Sequence, residues 1–192
     1  MNELLLLGIA AALINNLVLV QFLGVSPLLC GSKNLKSAAQ MGLAVIIVMT
    51  CASILTWAVG FVLTLFRLEY LKILAFVMVT AAFVQLLGLF LYKKLPKLNE
   101  KFTVHLSILT ANSAILGITL MSAEQFGREI TGGFTNTVVS GIAASIGFFI
   151  AIILLAGIRE RLELSDVPQS FRGIPIALIS IALISIAFMG VL

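Results

Sequence analysis

Long uncharged runs alternate with short charged stretches along this chain. Leu4 to Ser32, Ser37 to Phe66 and Ile73 to Tyr92 carry no charged residue. Phe102 to Ala123 holds only His105, Ile130 to Ile158 is uncharged, and Gly173 to Leu192 closes the chain. Each run reaches the ~20 residues that an α-helix needs to cross a bilayer. The pattern predicts an all-α membrane protein with six transmembrane helices. It leaves no room for a soluble domain, so residues 1–192 read as one transmembrane unit.

Two of the runs contain residues that membrane helices usually avoid. In the first, Asn15 and Asn16 are adjacent, Gln21 follows, and Gly24-Val25-Ser26-Pro27 comes next. Proline removes a backbone donor and clashes with the preceding turn, which predicts a break or bend near Pro27. In the fourth, Leu109 to Gly117 includes Asn112-Ser113. Backbone freed in hydrocarbon needs protein or water partners, so both breaks should lie in a cavity or an interface. Interrupted segments at corresponding places in two halves point to a site at the membrane midplane. The expected plan is two inverted three-helix repeats, 1–100 and 101–192, with Ser26 and Ser113 in equivalent places.

Charge then orients the chain. Taking the face of the N-terminus as one side, that side holds Arg67, Lys72 and Arg128, three of the twelve Lys and Arg. The other side holds the remaining nine: Lys33, Lys36, Lys93, Lys94, Lys97, Lys101, Arg159, Arg161 and Arg172. The positive-inside rule places the richer side in the cytoplasm and both termini outside. No basic stretch precedes the first run, so a cleaved signal peptide is not expected.

Composition agrees with a membrane protein: 61% of residues are hydrophobic and 10% charged. Soluble domains are nearer half apolar and a quarter charged. A dispersed net charge of +4 gives no nucleic-acid signal. Cys30 and Cys51 form neither a CxxC pair nor a zinc spacing and read as buried small hydrophobes.

The predicted spans contain no Asp, Glu, Lys or Arg, which argues against a self-contained proton relay. Ser113 and His105 do not make a protease pair, because eight residues along a helix separate them by about 12 Å, too far for a nucleophile and its base. Asn15, Asn16, Gln21 and Asn112 could each be interhelical hydrogen-bond glue. Clustered beside Gly24, Ser26, Pro27 and Ser113, they read better as a site. Gly141, Ser145 and Gly147 give the fifth helix a small-residue face, read first as packing within the chain. Arg159-Glu160-Arg161-Leu162-Glu163 is either a solvated helix end or a dock for a cytoplasmic partner.

Several motifs together resemble the RnfA/NqrE family. They are Asn15-Asn16-Leu17-Val18-Leu19, Phe22-Leu23-Gly24-Val25-Ser26-Pro27, Asn112-Ser113-Ala114-Ile115-Leu116-Gly117, Gly157 to Glu163, Asp166 to Gly173, and Ser180 to Gly190. The resemblance covers the whole chain. It implies a non-catalytic membrane subunit of an ion-translocating electron transport complex, of ferredoxin:NAD or NADH:quinone oxidoreductase type, in a bacterial or archaeal cytoplasmic membrane. It implies a homologous six-helix partner of inverted topology, resembling RnfE or NqrD, and further flavin and iron–sulfur subunits. In the family a cysteine on each broken helix helps to hold a [2Fe-2S] cluster between the two homologous subunits. Here those cysteines fall on Ser26 and Ser113, and Ala111 stands where threonine is usual. An alkoxide is a poor substitute for thiolate, so the cluster is expected to be absent or altered. Cys30, one helical turn from Ser26, is a distant substitute, with Pro27 between them. The competing class is a six-helix small-molecule transporter or substrate-binding membrane component.

Overall fold

The computed structural model describes residues 16–94, 108–109, 112–126 and 132–190. Among them the regular structure is entirely helical. Helix α1 is Val25–Gly31, α2 Leu35–Leu65, α3 Lys72–Lys94, α4 Ser113–Phe126, α5 Gly133–Glu163 and α6 Ile174–Met189. Two 3₁₀ turns, Glu69–Leu71 and Gln169–Phe171, precede α3 and α6. Asn15, His105, Ala111, Arg128 and both termini lie outside the described residues.

Three helices, Leu35–Leu65, Glu69–Phe90 (with its 3₁₀ lead-in) and Gly133–Glu163, are long and apolar enough to cross a membrane. Ile174–Met189 is a shorter apolar helix. The 31-residue α2 and α5 are each about 46 Å long at 1.5 Å per residue, more than the ~30 Å hydrocarbon core. Charge and capping set their ends. Asn34, extended at φ −151°, accepts the Ser37 amide on its side chain at 2.7 Å and starts α2. Gly173, at φ +91°, turns the chain into α6, whose first turn carries Pro175, where a missing N–H costs nothing.

The centre of the molecule is the antiparallel pair α2 and α5, which make the most extensive contact. At one end Phe134 meets Trp57 edge-on, ring centroids 5.1 Å apart. Further along, a Cβ on Gly141 would sit 2.7 Å from Ser53 Oγ, so the two backbones touch only because residue 141 has no side chain. Beyond that Gly42 lies under the Phe149 ring. The small-residue face of α5 is therefore spent inside this chain: Gly141, Ser145 and Gly147 are all buried. Helices α3 and α4 pack on α2, α4 also on α5, and α6 on α5.

The predicted grouping of loops into two ends holds in part within the described residues. Arg159 and Glu160 reach the 29–35 segment, joining Lys33 and Lys36 to the Arg159–Arg172 loop at one end. Lys72, Trp57, Thr64 and Ala123 line one small cleft at the other.

Candidate functional site at two helix starts

The stretch from Asn16 to Gly24 is not helical, yet Leu17, Val18 and Leu19 are buried. Such a stretch must find a partner for each amide without a helical ladder. Asn16 supplies three. Its Oδ1 accepts from Val18 N at 3.0 Å and Leu19 N at 3.3 Å, and its carbonyl accepts from Val20 N at 2.8 Å. Its Nδ2 donates to the Gly147 carbonyl on α5 at 2.9 Å, which ties the turn to the central helix pair. Leu23 N bonds Leu17 O at 3.0 Å. Gly24 N crosses to the fourth segment and donates to Ser113 Oγ at 2.9 Å.

Helix α1 then begins at Val25, so the irregular stretch precedes Pro27 instead of being made by it. Pro27 occupies the first turn, where no intrahelical partner awaits its nitrogen. Gly24 is at φ +78°, and a Cβ there would lie 2.8 Å from Ala114 Cβ and 3.2 Å from both Asn112 Oδ1 and Phe148 Cε2. Glycine is thus required twice, by the left-handed backbone and by the approach of α4. Phe22 also has positive φ, 56°, with its ring half exposed.

The second motif is built alike. Asn112 precedes α4, and its Oδ1 accepts from Ala114 N at 2.9 Å, as Asn16 Oδ1 accepts from the amide two residues on. Its carbonyl accepts from Leu116 N at 3.2 Å. Asn112 is 4% exposed, and its Nδ2 is buried without a hydrogen-bond partner. An orphaned amide donor is costly, about 1–3 kcal/mol, and it sits beside Gly24.

The residues singled out from sequence are thereby sorted. Asn16, Gly24, Pro27, Asn112 and Ser113 come together or adjoin the junction, and Ser26 lies two residues from Gly24. Ser26 and Ser113, each at a helix start, are exposed. Gln21 is exposed as well. Asn16 and Ser113 satisfy backbone, a structural role that polarity alone did not reveal. Neither cysteine is fully buried, against the expectation from composition: Cys30 is exposed at the end of α1, and Cys51 is half-buried in α2. Because α1 is helical through Pro27, Ser26 and Cys30 share a face, which removes one objection to Cys30. The donor set still consists of hydroxyls and one thiol. The residues present do not fit a thiolate-held [2Fe-2S] cluster.

Arg159, which the sequence offers only as a charge on a solvated helix end or a partner's dock, has a structural role as well. Its Nη1 donates to Leu29 O at 2.8 Å and to Ser32 Oγ at 3.0 Å, fastening the end of α1 to α5. Glu160 Oε1 accepts from Leu35 N at 2.7 Å at the start of α2. Their spacing from a small buried Ser32, 127 residues away for Arg159, leaves no local signal in sequence.

The comparisons with known proteins agree with the motifs. The family model for the Rnf-Nqr subunit, a membrane protein, matches residues 4–192. The chain is 42% identical over 191 residues to the A-type subunit of the ion-translocating oxidoreductase complex of an Azoarcus species, covering 99% of this chain and 96% of that one. It is 43% identical to the protein of the same name from Edwardsiella ictaluri, with the same coverage. It is 41% identical over 188 residues to the A-type subunit of the Na⁺-translocating ferredoxin:NAD⁺ oxidoreductase complex of Acetobacterium woodii, covering 97% and 95%. The chain belongs to the Rnf-Nqr family of membrane subunits.

Proposed function

We propose that this chain is the A-type membrane subunit of an ion-translocating Rnf complex, and that the junction of Gly24 with Ser113 is where it meets a homologous six-helix partner of inverted topology. The observation that carries the reading is the bond from Gly24 N to Ser113 Oγ, between two helix starts that leave Ser26 and Ser113 exposed on the chain's surface. Irregular backbone at membrane depth must be covered by protein or line a cavity. A partner seated on the junction supplies that cover. The names of the relatives supply the complex: an ion-translocating oxidoreductase, with ferredoxin and NAD⁺ as the redox couple in one of them.

The inverted three-helix repeat belongs to the same reading. Helices α1, α2 and α3 have 7, 31 and 23 residues, and α4, α5 and α6 have 14, 31 and 16. In each half an Asn caps the amide two residues on, and a serine stands at the first or second position of the helix that follows the break. Opposite orientation of the halves follows when each half crosses the membrane three times, as the six uncharged runs of the sequence imply. The charge asymmetry assigns Lys33, Lys36 and the Arg159–Arg172 loop to the cytoplasm and both termini to the outside.

A [2Fe-2S] cluster shared across the junction is not part of the function proposed for this sequence. Hydroxyls occupy both ligand places, and Ser113 Oγ already accepts the Gly24 amide. No electron step is therefore routed through Ser26 and Ser113. The role left to the chain is to complete the membrane scaffold of the complex and the ion path that scaffold encloses. The test is to purify the complex through a tag after Leu192 and to measure ferredoxin- or NADH-driven ion uptake in vesicles with and without the gene. Copurification of a second six-helix protein and loss of uptake on deletion are expected. Purification of the chain alone, or with an ATPase pair, overturns the assignment and favours the transporter reading.

A further inference from the structure

A cleft of ≈ 280 Å³ opens beside the end of α5, where α5, the following loop and the start of α6 meet. Arg159, Glu163, Val167, Arg172, Gly173 and Ile176 are among its lining residues. It lies at the end of the bundle that collects Lys33, Lys36, Arg159, Arg161 and Arg172, at the opposite end of the short α1 from the Gly24–Ser113 junction.

The two guanidiniums are only partly engaged. Arg159 uses Nη1 for Leu29 O and Ser32 Oγ, and Arg172 uses Nε for Val167 O at 3.0 Å. Each guanidinium has five N–H donors in a planar fork suited to phosphate, so each keeps donors for another acceptor. These bonds also hold the two heads in place before any ligand arrives. Of the charged groups in the lining, only Glu163 opposes them, which leaves one net positive charge. Glu160 is occupied with Leu35 N, and Arg161 and Asp166 are not in the lining.

Most of the remaining lining is apolar; the exception is Ser165, whose hydroxyl already donates to Arg161 O at 3.1 Å. Leu162, Val167 and Ile176 form its wall, and Ile179 and Leu183, three and seven residues on from Ile176 along the same face of α6, are exposed at 41% and 62%. A free phosphate has no use for that wall. A molecule with one anionic phosphodiester and attached acyl chains matches both parts, with its head between the guanidiniums and its chains along α6. We propose that this cleft binds the phosphate of an anionic phospholipid, with Arg159 and Arg172 as its ligands and α6 as the bed for its chains.

The experiment is native mass spectrometry of the detergent-purified complex, stripped of lipid and titrated with phosphatidylglycerol or phosphatidylcholine. The unaltered complex should bind phosphatidylglycerol about tenfold more tightly, because both lipids carry the phosphodiester but the quaternary ammonium of phosphatidylcholine brings a positive charge that the net positive cleft repels. Arg172→Gln should abolish the preference, Arg172→Lys should keep part of it, and Arg161→Gln, an equal change of charge outside the cleft, should keep all of it. The comparison of the two lipids on the unaltered complex stands even if an Arg172 variant fails to assemble. Equal binding of the two lipids overturns the proposal, as does equal loss in Arg172→Gln and Arg161→Gln. Displacement of the lipid by inorganic phosphate at equal concentration would make this a site for free anions. Protection of residues 164–173 from hydrogen exchange in the lipid-free complex would make it a protein interface. Either result overturns the lipid assignment, and neither touches the family membership.

Discussion

The amide of Gly24 and the hydroxyl of Ser113, 89 residues apart in sequence, are joined by a 2.9 Å hydrogen bond. That bond closes one broken segment onto the start of the other. Two substitutions test it. Gly24→Ala must place a Cβ at φ +78° and 2.8 Å from Ala114 Cβ, and left-handed backbone plus overpacking should cost about 2–4 kcal/mol. Ser113→Ala orphans a largely buried amide, at about 1–3 kcal/mol, whereas Ser113→Cys keeps a weak acceptor and should cost less. Thermal unfolding of the detergent-solubilised complex, followed by the fluorescence of the single Trp57 packed between Phe61 and Phe134, should rank the variants in that order. Equal stability of Gly24→Ala and the parent would contradict the geometry.

Asn16 should be the least replaceable polar residue of the first segment. It satisfies Val18 N and Leu19 N and holds the Gly147 carbonyl. Asn16→Leu keeps size and loses every side-chain bond, so it should destabilise by about 2–4 kcal/mol. Gln21→Leu, at an exposed position, should change stability by less than about 0.5 kcal/mol. The same unfolding assay compares them, and similar losses from both would refute the accounting.

Arg159 fastens α1 to α5 through two acceptors on one guanidinium nitrogen. Arg159→Lys also offers several N–H bonds from one nitrogen, but with a shorter reach and without the planar guanidinium that fixes the orientation of the head. It should therefore loosen residues 29–32 as Arg159→Ala does, seen as faster hydrogen exchange of their amides. Full protection in Arg159→Lys would show that charge alone suffices.

Topology is tested by reporters. The three-to-nine division of Lys and Arg predicts that an alkaline phosphatase fused after Leu192 is active. A fusion inserted after Ser165 should be inactive, and a cytoplasm-dependent fluorescent protein should behave in the opposite way. Activity of the fluorescent protein after Leu192 would invert the assignment.

Three of the six predicted spans were legible in the sequence because charge is so costly in hydrocarbon that its absence marks them: α2 and α3 each lie within a few residues of an uncharged run, and α5 only outruns its own by a charged last turn. The residues that meet at the Gly24–Ser113 junction stood out for a similar reason, since Asn, Gly, Ser and Pro are conspicuous among aliphatic residues. What each residue does there was not legible. Pro27 looks like the cause of a break but lies inside α1, because a helix start tolerates proline and periodicity does not reveal where a helix begins. Gly147 and Ser32, as partners of Asn16 and Arg159, are small residues with no local signature and come into contact only through the fold.

The central claim is that the junction of Gly24 and Ser113 is the family's paired-subunit site with hydroxyls in the ligand places. The most direct measurement is iron per complex, with an EPR spectrum of the reduced protein, on the chain coexpressed with its homologous partner alone. On the proposed pairing the unmodified chain should give no [2Fe-2S] signal, because two thiolates from a partner would leave the cluster short of ligands. Ser26→Cys with Ser113→Cys should bring iron to about two per complex with a [2Fe-2S] spectrum, and either change alone should bring little. A full cluster in the unmodified pair, or a folded double variant that assembles and gains no iron, would contradict the account.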